Sequence, residues 1–185
     1  MKTEQQYFEE GQTLADYMDA MSTKKEGSFH IYESFHVPAD DEFLTRLKDA
    51  NLHILAITED WCGDAMMNNA ILRRIAEATD TEVHVSLRDA DTDLIDRYLT
   101  NGGRSIPKYL LMNEAGEVIE TWGPRADMVQ TYVMDAKAKL PAQDAPEFEE
   151  EQKKVFQDVS AQFESNADFH MATYSSIREK WMHVL

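Results

Sequence analysis

At 185 residues the chain has room for one domain with a full core and an appended element. Thirty-five acidic against 18 basic residues leave a net charge of −17, a field that repels nucleic acid and anionic membrane surfaces and argues against both as partners. A single cysteine excludes any disulfide within the chain. With no apolar N-terminal run and no bilayer-length stretch, the expected location is the cytoplasm.

Taken in chain order, residues 4–21 carry Tyr7, Leu14, Tyr17, Met18 and Met21 near helical spacing, which predicts one N-terminal helix. Phe29, Ile31, Phe35 and Val37 alternate loosely and predict an extended segment. Pro38-Ala39-Asp40 opens a helix with Phe43, Leu44 and Leu47 on one face. Leu52 to Thr58 reads as a buried strand, Ala65 to Ala78 as a helix, and Val83 to Leu87 as a second strand. Asp91 to Thr100 reads as a short helix stopped by Asn101-Gly102-Gly103. Tyr109 to Met112 and Val118 to Trp122 flank the turn Asn113-Glu114-Ala115-Gly116 and predict a β-hairpin. A helix from Ala126 to Leu140 follows. Pro141 and Pro146 then bracket an acidic linker before two amphipathic helices that break at Asn166-Ala167-Asp168. This order asks for an α/β fold: a mixed sheet flanked by helices, its first two strands parallel and its hairpin an antiparallel edge.

Trp61-Cys62-Gly63-Asp64-Ala65 lies where the first strand turns into a helix, so Cys62 is expected at a helix N-terminus. Unpaired backbone N–H groups and the positive end of the macrodipole favour a thiolate there, with a pKa in the range of about 3.5–7.5 found for activated thiols. The Asp64 carboxylate repels a thiolate, but its expected role is to cap the helix. A redox dithiol would carry a second cysteine three residues on, and that position is Ala65. Of Met66-Met67, one side chain is expected inward and one outward. The six histidines show no paired spacing and join no cysteine cluster, so no metal is expected; His53 and His84 read as hydrogen-bonded strand residues.

These segments together resemble the thioredoxin family. Trp61-Cys62-Gly63-Asp64 is similar to its Trp-Cys-Gly-x start, Gly103-Arg104-Ser105-Ile106-Pro107 to the segment carrying its cis-proline, and the hairpin with Trp122-Gly123 to its C-terminal half. The resemblance covers residues 38–140 and implies a thioredoxin-like domain there. Residues 1–37 form an N-terminal helical and extended extension, and 147–185 a C-terminal helical extension packed on the same domain. It implies Cys62 as the catalytic thiol, with Trp61, Gly63, Asp64, Ile106 and Pro107 contacting substrate, the backbone of Ile106 receiving an added strand. Lys108 follows the proline and is expected as a solvated surface residue. Ala65 lacks the resolving thiol, and Ala56 stands where redox-active members bury an acid.

The implied function is therefore thiol–disulfide exchange by a single cysteine on a protein or small-molecule disulfide. It needs no cofactor beyond a low-molecular-weight thiol as co-substrate. A redox-inactive binding or adaptor module is the alternative. A monomer is expected, with dimerisation through the C-terminal helices as the other possibility.

Overall fold

Thr3 opens helix α1 (Glu4–Glu10) with a capping box: its hydroxyl accepts from the Gln6 amide, and the Gln6 side chain accepts from the Thr3 amide. The computed structural model describes residues 1–185. It divides the single N-terminal helix expected from periodicity into pieces. After α1 the chain extends through Gly11, Gln12–Thr13 forms the short strand β1, and the Thr13 hydroxyl caps α2 (Leu14–Asp19). The break is tertiary in origin, because β1 pairs antiparallel with the strand at Val83–Leu87.

Lys25–Ser34 forms a helix, α3, in place of the expected extended segment. The apparent alternation of Phe29, Ile31, Phe35 and Val37 concealed a four-residue spacing of Gly27, Ile31 and Phe35, all buried. That face lies on the long helix that follows Cys62. Ser28 Oγ donates to the Met66 carbonyl at 2.9 Å, and a Cβ at Gly27 would stand 2.7 Å from Met66 Sδ. A larger residue there would have to push the flexible Met66 side chain aside.

The remaining elements follow the expected order: α4 (Glu42–Asp49), β2 (His53–Thr58), α5 (Gly63–Thr79), β3 (Val83–Leu87), α6 (Thr92–Ile95), β4 (Lys108–Met112), β5 (Val118–Trp122) and α7 (Asp127–Ala138). The five-stranded sheet runs β1-β3-β2-β4-β5, with β2 parallel to β3 and antiparallel to β4, and with β4 antiparallel to β5. Central β2 is buried on both faces. Ile54 and Ala56 point into a large core with α5, while Leu55 and Ile57 point into a smaller one with Tyr7, Phe8, Leu94 and Leu110. His53 and His84 are tied to α1, His53 Nε2 to Gln5 Oε1 at 2.9 Å and His84 Nδ1 to the Phe8 carbonyl at 2.7 Å. No helix is long and apolar enough to cross a membrane.

Two helices close the chain, α8 (Phe148–Ser165) and α9 (Ala167–Met182), with the Asn166 side chain capping α9. Helix α9 adds Phe169, Tyr174, Ile177 and Trp181 to the large core. Asp41 pins it to α4. Its carboxylate caps α4 by accepting from the Phe43 amide at 3.0 Å, and also accepts from Tyr174 Oη at 2.7 Å and Arg178 Nε at 2.9 Å. Burial pushes the Asp41 carboxyl up, but these three donors outweigh it and hold its pKa below the usual value. The contribution is thus present above the unfolded carboxylate pKa and lost as pH falls through the folded one. Asp41→Ala should cost about 1–2 kcal/mol in urea unfolding at neutral pH. The deficit should shrink below about pH 4; an equal deficit at both pH values would contradict the assignment.

Candidate functional site

Strand β2 ends at Thr58, and Glu59-Asp60-Trp61 carries the chain into α5. The two acids of this turn are tied down. Asp60 accepts from both the amide and the hydroxyl of Ser22 at 2.8 Å, and Glu59 accepts from the Asp89 amide at 2.9 Å. Trp61 stays 47% exposed with the Arg88 guanidinium 4.9 Å from its ring centroid. Cys62 then occupies the N-cap position of α5, half-buried, its carbonyl accepting the Met66 amide at 3.0 Å.

The Cys62 thiol donates to the Ile106 carbonyl at 3.6 Å, and the Ile106–Pro107 peptide is cis. Gly123 holds this loop from behind. At φ +122° its missing Cβ would fall 2.1 Å from the Pro107 carbonyl oxygen, so no other residue fits. Lys108 is buried, not solvated: its Nζ donates to Thr100 Oγ1 at 2.8 Å and to the Gly123 carbonyl at 3.0 Å. Burial, with the charge of Lys180 adding to it, holds the Lys108 pKa below its usual value. Its reach across to Gly123 explains the difference, since a lysine stem buries easily once its ammonium has acceptors.

Electrostatics reverse the expectation of a resting thiolate. Burial pushes the Cys62 thiol up, and the Asp64 carboxylate pushes it further. The Ala65 and Asp64 amides and the Arg125 charge pull it down without offsetting those two effects. Nor does Asp64 cap the helix. Arg125 engages both its oxygens, Nε to Oδ1 at 2.6 Å and Nη2 to Oδ2 at 2.8 Å, a bidentate pair that is largely buried. A stronger partner took the carboxylate away from the helix amides. Met66 and Met67 both point inward, because α3 covers the face expected to be open.

Beneath the turn, Ala56 lies fully buried between Val85 and Tyr109. A neutral hydrogen-bond chain fills the surrounding space. Tyr109 Oη donates to Asn69 Oδ1 at 2.7 Å, and Asn69 Nδ2 donates to Thr58 Oγ1 at 3.1 Å. These three side chains satisfy one another without a titratable acid.

A cavity of about 340 Å³ opens beside the sulfur. Trp61, Cys62, Gly63 and Asp64 line one side and helix α8 the other, where Val155, Phe156, Val159 and Phe163 make an apolar wall. A Cβ placed on Gly63 would lie 3.6 Å from Ser160 Oγ and 3.7 Å from the Phe163 ring, so α8 packs directly on the first turn of α5. Trp61, Cys62, Gly63 and Asp64 therefore converge on the cavity, Ile106 meets the sulfur through its carbonyl, and Pro107 stands outside the lining. Sequence reasoning missed Arg125, Lys24, Lys137 and the α8 wall. Helical spacing of Val155, Phe156, Val159 and Phe163 showed an apolar face, but no residue pattern says which surface that face covers.

A lone thiol at a helix N-terminus, facing a cis-proline loop at the end of a central strand, defines the class of α/β thiol fold. Residues 11–139 match the family model described as thioredoxin, and the chain belongs to the thioredoxin family. That match begins within the segment before residue 38, where β1, α2 and α3 lie. Among solved structures the chain is similar to a protein of unknown function from Pseudomonas aeruginosa, at 20% identity over 90% of this chain and 100% of that one, with a TM-score of 0.61. It is also similar to an HIV epitope-scaffold, at 17% identity over 94% of this chain and 99% of that one, with a TM-score of 0.59. At such identities the likeness shows the fold. No curated protein matches the chain.

Replacing Asp64 tests the electrostatic assignment. Asp64→Asn removes the repelling carboxylate and leaves the Arg125 charge beside the thiol, so the Cys62 pKa should fall and iodoacetamide alkylation at neutral pH should quicken. The gain should be about threefold for each tenfold rise in thiolate, because intrinsic nucleophilicity drops with pKa. A pH–rate profile identical to that of the parent would refute the assignment.

Proposed function

We propose that the protein carries out thiol–disulfide exchange through Cys62 alone, with an external low-molecular-weight thiol completing each cycle. The observation that carries this reading is the placement of Cys62 Sγ, at the N-terminus of α5, 3.6 Å from the Ile106 carbonyl and open to a cavity. Cys62 loses its proton to solvent, and the amides of Asp64 and Ala65 stabilise the thiolate. The thiolate attacks one sulfur of a protein or small-molecule disulfide. A new S–S bond joins Cys62 to that half, the old S–S bond breaks, and the other half leaves as a thiolate that takes up a proton. Ala65 offers no second sulfur, so an external thiolate attacks the captured half, leaves disulfide-bonded to it, and returns Cys62 to the thiolate. Over the cycle one external thiol enters a disulfide with the captured half and one substrate sulfur is released as a thiol, so the exchange balances with no further oxidant or reductant. Cells keep such thiols reduced in the cytoplasm, which supports that location.

A second reading, a redox-inactive binding module on the same fold, is favoured by one specific observation. Burial and Asp64 keep the resting Cys62 protonated, while Ala56 and Ala65 withhold the usual acid and the usual partner. Intact-protein mass spectrometry separates the two. Incubation with a small disulfide should attach one half to the parent protein and nothing to Cys62→Ser. The rate should keep climbing beyond about pH 9, because burial and Asp64 push the thiol above its usual range, and excess thiol should strip the adduct. No adduct at the alkaline end would leave only the binding reading.

A further inference from the structure

The cavity beside Cys62 has a chemistry of its own. At about 340 Å³ it lies at the small end of sites for low-molecular-weight ligands, which run from about 300 Å³ upward. Helix α8 closes one side of the sulfur, with Ser160 and Phe163 packed against Gly63. The wall α8 presents is apolar, and Phe156 on it is 49% exposed.

The charge at the rim is opposite to that of the chain. In a protein of net charge −17, the cavity borders Lys24 and Lys137, exposed lysines that take part in no ion pair. Arg125, the third cation there, is neutralised by Asp64. Burial raises the Asp64 carboxyl, and the Lys137 charge joins that of Arg125 in opposing the rise. Two uncompensated ammonium groups beside an apolar wall and a thiol suit a molecule with an anionic end, an apolar body and a sulfur between them.

We infer that this cavity binds the external thiol itself: a low-molecular-weight thiol, or its disulfide, that carries a carboxylate and an apolar arm. The inference rests on the exchange reading above. Lys24 and Lys137 hold the carboxylate, Phe156 and its neighbours on α8 hold the arm, and the ligand sulfur meets Cys62 to form the mixed disulfide.

Three disulfide probes test it in the full-length protein: dithiobis(nitrobenzoate), aromatic with two carboxylates; dithiodipyridine, aromatic and neutral; and cystamine, aliphatic and dicationic. Second-order rates for Cys62 at about pH 8 are divided by those of N-acetylcysteine with the same probe, which cancels intrinsic reactivity. The normalised rate should be about tenfold higher for dithiobis(nitrobenzoate) than for the neutral probe, and should fall with added salt. The double variant Lys24→Glu/Lys137→Glu should abolish that preference, bringing the ratio of the dithiobis(nitrobenzoate) rate to the dithiodipyridine rate down to about one or below, a ratio that cancels any change in Cys62 ionisation common to both probes. Phe156→Ser should slow both aromatic probes and spare cystamine. All three residues are partly or fully exposed, so the fold survives these changes. The net negative field alone gives the reverse order, cystamine fastest and dithiobis(nitrobenzoate) slowest. That order, indifferent to the lysine changes, overturns the inference and leaves the exchange reading standing. A faster normalised rate with a disulfide-bonded peptide does the same. No reaction with any probe removes the exchange reading, and the inference with it.

Discussion

Everything at the site depends on the burial of β2 between β3 and β4 with both of its faces covered. A strand packed on two sides cannot slip by one residue without exchanging its whole core set, so the register of Ile54 to Thr58 is fixed. The chain must then leave the sheet at a set point, and Cys62 falls at the start of α5 as a result. Helix α5 is itself packed by α3, α8 and α9, with Gly27 of α3 against Met66 and with Ser160 and Phe163 of α8 against Gly63. The position of the sulfur is a consequence of core packing more than of any bond the thiol makes.

Its chemistry is a contest between two local fields. The helix N-terminus draws the thiol toward ionisation, while burial and the Asp64 carboxylate oppose it, and the opposing pair wins. Arg125 sits on both sides of that contest. It pairs with Asp64, which blunts the repulsion, and it contributes a weak attraction of its own to the sulfur. Below the turn the buried Tyr109–Asn69–Thr58 chain keeps the interior neutral where an acid could have stood. The result is a thiol held ready in place but protonated at rest, which suits a slow exchange with an outside thiol better than a fast internal dithiol cycle.

Helix α8 gives the site its particular character. By packing on Gly63 it turns a surface thiol into one wall of a small cavity, and it brings an apolar face against the Lys24 and Lys137 rim. The same packing lets α9 complete the large core through Tyr174, Ile177 and Trp181. One pair of helices thus serves both the packing of the fold and the shape of the site.

Local pattern was enough wherever a short segment carries its own physics. The apolar run before Trp61-Cys62, the β-branched second strand, the turn between β4 and β5, and the break at Asn166 were all legible, because strand burial, turn chemistry and helix capping act over a few residues. Contacts between distant segments were not. The break after α1 needs β3 as a partner for β1, the helix at Lys25–Ser34 needs the α5 surface at Met66, and the duty of Asp64 needs Arg125, sixty-one positions away. The sequence by itself determined that a lone cysteine would sit where a buried strand meets a helix. Only the tertiary structure decided how acidic that thiol is and what closes over it, since both depend on charges and side chains that folding alone brings within reach.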